Sequence, residues 1–494
     1  MNKASQNSVK ESSTRRFRPK LLHGILLAAV MSIEGCISPS GIVHDQVLHD
    51  AATIGAHGKF DAWPAEQWWK SLKDPELDRL IELALKGNPS ITKAAKRIEK
   101  AAAYVTTEKS TLAPQLSGDA YFNRQRLTEN SFFPPPFGGA YENIVNAQLN
   151  ASWDIDFWDK NRSLLQSALS QTAAAKAEES AAGLMVSTAV AQTYYQLARQ
   201  VEQLKLSEQA LKQREQEFDL IKQRISAGLD TNVELQQGQG NVSAAHVDVD
   251  TATEAISLTR NALAALTASD PQAINRLQPI LPVAPVFSAQ TLPDEIPIDI
   301  ISRRPDLAAA KARVDAAGAD SASAKAEFYP NVSLSAFIGL SSFSLSNFLK
   351  LGSTIVGAGP AIHLPIFDAD RLRADLRSKN ADLDISIASY NQILLEAIHD
   401  VADQMTSIKA VRLQKDDQQA ALDSAESAYR LATIRYQAGL TTLLTVLNAK
   451  DTLLRERSRM VNLRGREIDL NIALIKSLGG GFDSTSQTGV GKPS

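Results

Sequence analysis

Residues 143–155 read Asn143-Ile144-Val145-Asn146-Ala147-Gln148-Leu149-Asn150-Ala151-Ser152-Trp153-Asp154-Ile155. In an extended chain successive side chains point to opposite faces. Val145, Ala147, Leu149, Ala151, Trp153 and Ile155 therefore share one face, and Asn146, Gln148, Asn150, Ser152 and Asp154 share the other. Three more stretches alternate in this way. Segment 116–125 sets Leu116, Gly118, Ala120 and Phe122 against Ser117, Asp119, Tyr121 and Asn123. Segment 332–341 sets Val332, Leu334, Ala336, Ile338 and Leu340 against mostly serine, with Phe337 interrupting. Segment 354–366 is less regular, and Pro360 suggests a bend or bulge.

Alternation by itself also describes half-buried strands of a soluble sheet. Here the flanking stretches are long, helical and rich in Ala and Gln, and offer the apolar face no obvious cover. Strands of about 10 residues also match the reach needed to cross a bilayer. A lipid-facing surface is the expectation. Four strands cannot close a barrel, which needs about eight, and open strand edges are not tolerated in hydrocarbon. The barrel must then be shared between chains, and three copies of four strands make an even-numbered barrel of twelve.

The chain is written twice. Asn88-Pro89 and Arg304-Pro305 each open a helical stretch, 216 positions apart, closing at Ala113-Pro114-Gln115-Leu116-Ser117 and Tyr329-Pro330-Asn331-Val332-Ser333. Phe157-Trp158-Asp159 with Arg162 matches Ile366-Phe367-Asp368 with Arg371, and Ala227-Gly228-Leu229 matches Ala438-Gly439-Leu440. Such self-similarity marks a duplicated unit: helix, strand pair, long helix, Gly break, shorter helix. The first copy (88–268) has a strand pair over 116–156 and helices over 88–113, 159–226 and 230–268. The second (304–478) has a strand pair over 331–366 and helices over 304–328, 369–437 and 441–478. Gly228 and Gly439 suit a helix C-cap or hinge. A Pro-rich connector, 269–303, joins the copies, 36–87 precedes them, and the tail 479–494 reads as disordered. Residues 159–226 contain no Pro; at 1.5 Å per residue they extend about 100 Å.

The N-terminus is a targeting segment. Arg15, Arg16, Arg18 and Lys20 precede a short apolar run, Leu21 to Val30, too short for a permanent span. It ends at Ile33-Glu34-Gly35-Cys36, which resembles a bacterial lipobox apart from Glu34. Residues 1–35 are then a lipoprotein signal peptide, and Cys36 carries a covalent lipid; two or more acyl chains anchor stably. Cys36 is the only cysteine, so neither an intrachain disulfide nor a multi-Cys metal site can form. With 52 basic and 55 acidic residues, no basic excess points to nucleic acid. The histidines are scattered without metal-ligand spacing, Gly238-Gln239-Gly240 does not follow a strand, and no phosphate-binding loop occurs. No cofactor and no catalytic role are expected. The loop Asn130-Ser131-Phe132-Phe133-Pro134-Pro135-Pro136-Phe137-Gly138-Gly139 fits both a stiff outer lid and an ordinary hairpin connection.

From about Trp68 to Gly480 the chain resembles the TolC/OprM family of outer-membrane efflux proteins, in particular its lipidated branch serving resistance-nodulation-division pumps. The likeness is carried by the doubled plan, by Trp153-Asp154-Ile155-Asp156-Phe157-Trp158, by Arg303-Arg304-Pro305-Asp306-Leu307 and by the block from Tyr436 to Ala449. It implies an α+β membrane protein: a homotrimeric twelve-stranded transmembrane β-barrel continuous with a long α-helical periplasmic tunnel and a mixed equatorial domain. It also implies a lipid-anchored position in the outer membrane and a periplasmic tip that is opened by an adaptor protein and an inner-membrane pump. By the resemblance, Tyr436 is the gate tyrosine, Leu444 the constricting leucine and Glu234 an acidic neighbour on the other hairpin. Asn448 stands where an Asp usually rings the entrance, and Thr441 and Thr445 where some members carry Arg and Asp. Three-fold carboxylates at a narrow mouth favour cations, which Asn does not. The competing reading is a lipid-anchored periplasmic coiled-coil adaptor or scaffold, which would have one hairpin and no duplicated strand pairs.

Overall fold

The computed structural model describes residues 38–130, 136–282 and 295–484. The signal region with Cys36, residues 131–135 of the proline loop and the centre of the connector lie outside them. The chain divides into two compact units. One comprises Met1–His44, Glu108–Leu164 and Ala319–Asp382, the other Asp45–Thr107, Leu165–Gly318 and Leu383–Ser494.

The first unit carries a four-stranded antiparallel sheet in the order β1 (Gln115–Arg126), β2 (Tyr141–Ile155), β3 (Asn331–Ser342) and β4 (Thr354–His363). Both strand pairs of the duplication thus join one sheet, β2 against β3. The register aligns the apolar faces read from sequence. Leu116, Ala151, Ala336 and Ala358 form one row, Gly118, Leu149, Ile338 and Val356 another, and Ile155, Val332 and Ile362 a third. Leu116, Leu149, Trp153, Leu334, Ile338, Val356 and Ile362 are all exposed. On the opposite face the amides form a ladder: Asn146 Nδ2 donates to Gln148 Oε1 (3.4 Å), Gln148 Nε2 to Asn150 Oδ1 (3.0 Å) and Asn150 Nδ2 to Asp119 Oδ2 (2.6 Å).

Two irregularities of the pattern acquire causes. Phe337 sits on the polar face because its ring covers Gly357 directly across the ladder, where a Cβ would come within 2.6 Å of the ring; an aromatic shielding a cross-strand glycine is a known pairing device. Pro360 makes no bulge. The register runs through it without a slip, opposite Leu334. It lies on an edge strand, where a missing donor is tolerated. Strand β4 ends at His363, short of the expected 366. In the β1–β2 loop, Phe137 stacks on Phe343 of the β3–β4 loop at 5.5 Å and 26°.

The helices are α1 (Pro75–Gly87), α2 (Pro89–Thr111), α3 (Lys160–Ser226), α4 (Asn232–Leu266), α5 (Pro305–Ala326), α6 (Ala369–Gln437) and α7 (Leu443–Ser477). Asp159, expected as the first helical residue of α3, instead has φ 59°. The α3 N-terminus is closed from Asp156, whose carboxylate accepts the N–H groups of Asn161 (3.1 Å) and Arg162 (2.8 Å). The core of the second unit includes Trp68, Trp69, Leu77, Leu80, Ile81, Tyr194, Leu197, Leu263, Leu307, Leu394, Val401 and Leu474. Asp74 ties α1 into it. One carboxylate oxygen caps α1 through Glu76 and Leu77 N–H, and the other accepts the Tyr194 hydroxyl at 2.9 Å. Burial pushes the Tyr194 phenol up, with the Asp74 charge adding to it. Residue Gly58 and the end of the connector meet in a single parallel bridge, Gly58 to Pro297.

The duplication repeats at the level of single hydrogen bonds. Asn88 Nδ2 donates to Leu266 O (2.9 Å), and Arg304 Nη1 to Ser477 O (3.2 Å). In each copy the residue before the opening proline satisfies a free carbonyl at the end of that copy's last helix. The αL residue that ends this helix is Ala268 in the first copy (φ 49°) and Gly479 in the second (φ 84°). The expected disorder of the tail does not begin at 479. Gly479 packs so close to Arg303 that a Cβ would meet its carbonyl oxygen at 1.8 Å, and Asp483 pairs with Arg303 at 3.1 Å. Residues 485–494 lie outside the described part.

Ala268 is exposed and carries a left-handed backbone that disfavours a Cβ by about 1 kcal/mol. Ala268→Gly should raise the thermal midpoint in detergent. Gly439→Ala, at φ 71° with open space around it, should lower it by a similar amount. A shift of the same sign for both would refute the backbone argument.

Candidate functional site at the hairpin tips

The two long hairpins, α3–α4 and α6–α7, end in turns of one construction. Gly228 has φ 73° and Gly439 φ 71°. Gly228 N–H donates to Ile225 O and Leu229 N–H to Arg224 O, both at 2.9 Å; Gly439 N–H donates to Tyr436 O (2.9 Å) and Leu440 N–H to Arg435 O (2.8 Å). These paired bonds are the Schellman arrangement, which needs a left-handed residue at that point. Gly228 and Gly439 are therefore C-caps that fix the turn. Leu229 and Leu440, which follow them, are exposed.

The returning helices start differently. On the first tip Thr231 is the N-cap of α4. Its hydroxyl accepts Val233 N–H (3.2 Å), while Glu234 Oε2 accepts Thr231 N–H (2.8 Å) and the Thr231 hydroxyl. These bonds, the Thr231 hydroxyl first, hold the Glu234 carboxyl below the usual range. Glu234 thus stays ionised with its oxygens turned to its own helix. Beside it, Asp230 is held in a two-point pair by Arg224, Nε at 2.8 Å and Nη2 at 2.9 Å, and this bonding also lowers its pKa. The Arg224–Asp230 pair went unremarked in the sequence, although its members flank the Gly228 turn on either side.

On the second tip, Thr442 is the α7 N-cap without a side-chain cap bond. Thr441 Oγ1 donates to Thr445 Oγ1 at 3.1 Å, and Thr442 and Thr445 hydroxyls lie 3.2 Å apart. Leu444, Thr445 and Asn448 are exposed, at the spacing of one helix face, while Val446 and Leu447 are buried on the other. Tyr436 is exposed in the last turn of α6. Farther along α7, Asp451 pairs with Arg214 (2.8 Å) and with Arg455. Among the described residues no hydrogen bond joins Glu234 to Tyr436, Thr441 or Asn448. Within one chain the six candidates form two separate tips. Each tip's carboxylates are capping or ion-paired, and the five candidates on the second tip are themselves neutral: a phenol, a leucine, two threonines and an amide.

Comparison with known proteins agrees over nearly the whole described chain. A family model described as outer membrane efflux protein matches residues 80–269 and 296–480. The chain is 30% identical over 479 residues to the multidrug resistance outer membrane protein MdtP of Escherichia coli (strain K12), across 94% of this chain and 97% of that one. It is 29% identical over 473 residues to the pyoverdine export outer membrane protein OpmQ of Pseudomonas putida, across 94% and 99%. The solved structure of the outer membrane protein VceC from Vibrio cholerae superposes with a TM-score of 0.76 at 33% identity, covering 85% of this chain and all (100%) of that one.

Because the Glu234 pKa lies lower folded than unfolded, the capping box contributes stability above the ordinary carboxylate range and loses it as pH falls through the depressed value. Protection of the Thr231 and Val233 amides from exchange should hold at pH 5 and fall only in stronger acid. Thr231→Val should abolish that protection at neutral pH.

Proposed function

The chain belongs to the outer membrane efflux protein family and is an outer-membrane efflux channel of α+β fold, and we propose how its parts divide that work. Three copies join their four-stranded sheets into a closed twelve-stranded barrel, with the rows through Leu116–Ala358 and Gly118–Val356 toward lipid and the amide ladder toward the lumen. The paired hairpins form the periplasmic conduit. Its tips meet a periplasmic adaptor and an inner-membrane pump, of the resistance-nodulation-division type, which supplies the energy. The duct itself conducts small molecules passively and catalyses nothing. The observation that carries this reading is the continuous exposed apolar face across β1–β4 together with two unpaired edges, β1 and β4. That combination is unstable in water and, for a lone chain, unstable in lipid as well.

The lipid anchor at Cys36 has support from its neighbours. Ser38 O accepts Arg373 Nη1 at 3.1 Å, and Ile42 packs on Phe328, Leu372 and Leu376. All belong to the first unit: Leu372, Arg373 and Leu376 in the first turns of α6 just past β4, and Phe328 between α5 and β3. The first described residues after Cys36 thus lie against the first unit near the helix-side strand ends, which suits an anchor whose acyl chains enter the bilayer.

At the tip, Tyr436 and Leu444 are the groups we assign to closure. Thr441, Thr445 and Asn448 line the approach, Glu234 holds the neighbouring turn in shape, and Gly228 and Gly439 set both bends. Tyr436→Ala with Glu234→Ala should raise single-channel conductance in planar bilayers several-fold; an unchanged conductance refutes the gate. Asn448→Asp adds one carboxylate per chain at the mouth and should shift the reversal potential toward cation preference. Cys36→Ser should remove the acyl mass from the intact protein while leaving heat-modifiable gel mobility, because the barrel and not the anchor spans the membrane.

A further inference from the structure

Beside the strand ends that lead into the helices, the first unit holds a cavity of about 300 Å3 whose lining includes Asp156, Trp158, Lys160, Glu327, His363 and Arg371. Its fixed charges are balanced and mixed. Lys160 Nζ lies 2.7 Å from one Glu327 oxygen and Arg371 Nη1 4.0 Å from the other, so the carboxylate stands between two cations. All three side chains keep part of their surface open. Asp156 is committed to closing α3. One wall is a fixed aromatic plate: Trp158 stacks on Tyr329 at 4.6 Å and 21°, and its indole N–H donates to Pro330 O at 3.0 Å.

Next to this polar cavity stand side chains unsuited to water. Phe157 is 62% exposed and Phe367 98%, and Ile366 is exposed too. Phe157 and Ile366 are matching positions of the two copies, Phe367 matches Trp158, and all lie just past the row Ile155–Val332–Ile362. Aromatics beyond the last apolar rung mark the level at which hydrocarbon gives way to headgroups.

We propose that this cavity binds the headgroup of a zwitterionic glycerophospholipid, with its phosphate against Lys160 and Arg371, its ammonium against Glu327, and its acyl chains along Phe157, Ile366 and Phe367. A purely anionic lipid would satisfy the cations but set a second negative charge beside Glu327. A headgroup carrying both signs satisfies the whole lining. The inference rests on the outer-membrane placement of the sheet and not on the gate or on any partner.

Full-length protein in detergent is titrated with dioctanoylphosphatidylethanolamine, dioctanoylphosphatidylglycerol or inorganic phosphate, and bound adducts are counted by native mass spectrometry. The ethanolamine lipid should bind saturably and at least about tenfold more tightly than either competitor. Lys160→Ala with Arg371→Ala should weaken it by about tenfold or more. Glu327→Gln should erase the preference for the ethanolamine lipid while leaving glycerol-lipid binding as it was, a change of selectivity that misfolding does not produce. Equal affinity for the two lipids, tight binding of phosphate alone, no saturable binding, or unaltered binding in these variants would overturn the proposal. Heat-dependent gel mobility, measured in parallel, reports the barrel independently.

Discussion

Every backbone N–H and C=O inside hydrocarbon needs a protein partner, and the rest of this molecule follows from how one chain falls short of that demand. Its sheet has four strands and two edges, and the edge strands β1 and β4 have partners on one side only. Both faces of the sheet are specialised, apolar on one and bearing the amide ladder of β2 on the other, so the sheet cannot be folded into a soluble core without burying that ladder. A closed barrel shared by identical chains satisfies the edges and both faces at once. Membership of the outer membrane efflux protein family places this sheet in the outer membrane.

The duplicated helices follow a second constraint, the free carbonyls at helix ends. Asn88 and Arg304, the residues before the two opening prolines, each reach a terminal carbonyl of their own copy's last helix. Proline there cannot donate, and the preceding side chain takes over the task. Arg304 is buried and is also held by Asp306 through two bonds (3.1 and 2.6 Å). The Arg304-Pro305-Asp306 block is thus a clamp between helix ends. The two copies have diverged at the turn itself, Ala268 in one and Gly479 in the other, and the glycine copy packs its turn against Arg303.

At the tips, charge is present but largely occupied. Glu234 caps, Asp230 is paired with Arg224, and Asp451 is shared by Arg214 and Arg455. The candidate residues exposed on the second tip, Tyr436, Leu444, Thr445 and Asn448, are hydrophobic or neutral polar groups. The gate we propose at Tyr436 and Leu444 relies on packing more than on like-charge repulsion, which weakens with salt in any case.

Strand alternation, the nearly constant spacing of the two copies and the Pro-free runs were legible in the primary structure because each depends on local periodicity: two residues per strand repeat, 3.6 per helical turn, and fixed backbone needs of Pro and Gly. Element identity and the apolar face were determined there. So were the glycine turns at 228 and 439, since a left-handed C-cap is a local requirement. What only the tertiary structure decided is pairing across distance. It joined β2 to β3 in one sheet, set Phe337 over Gly357, and brought Asn88 to Leu266 and Arg304 to Ser477. Those outcomes depend on which groups the folded chain brings within hydrogen-bond reach, about 3 Å, and no periodicity records that.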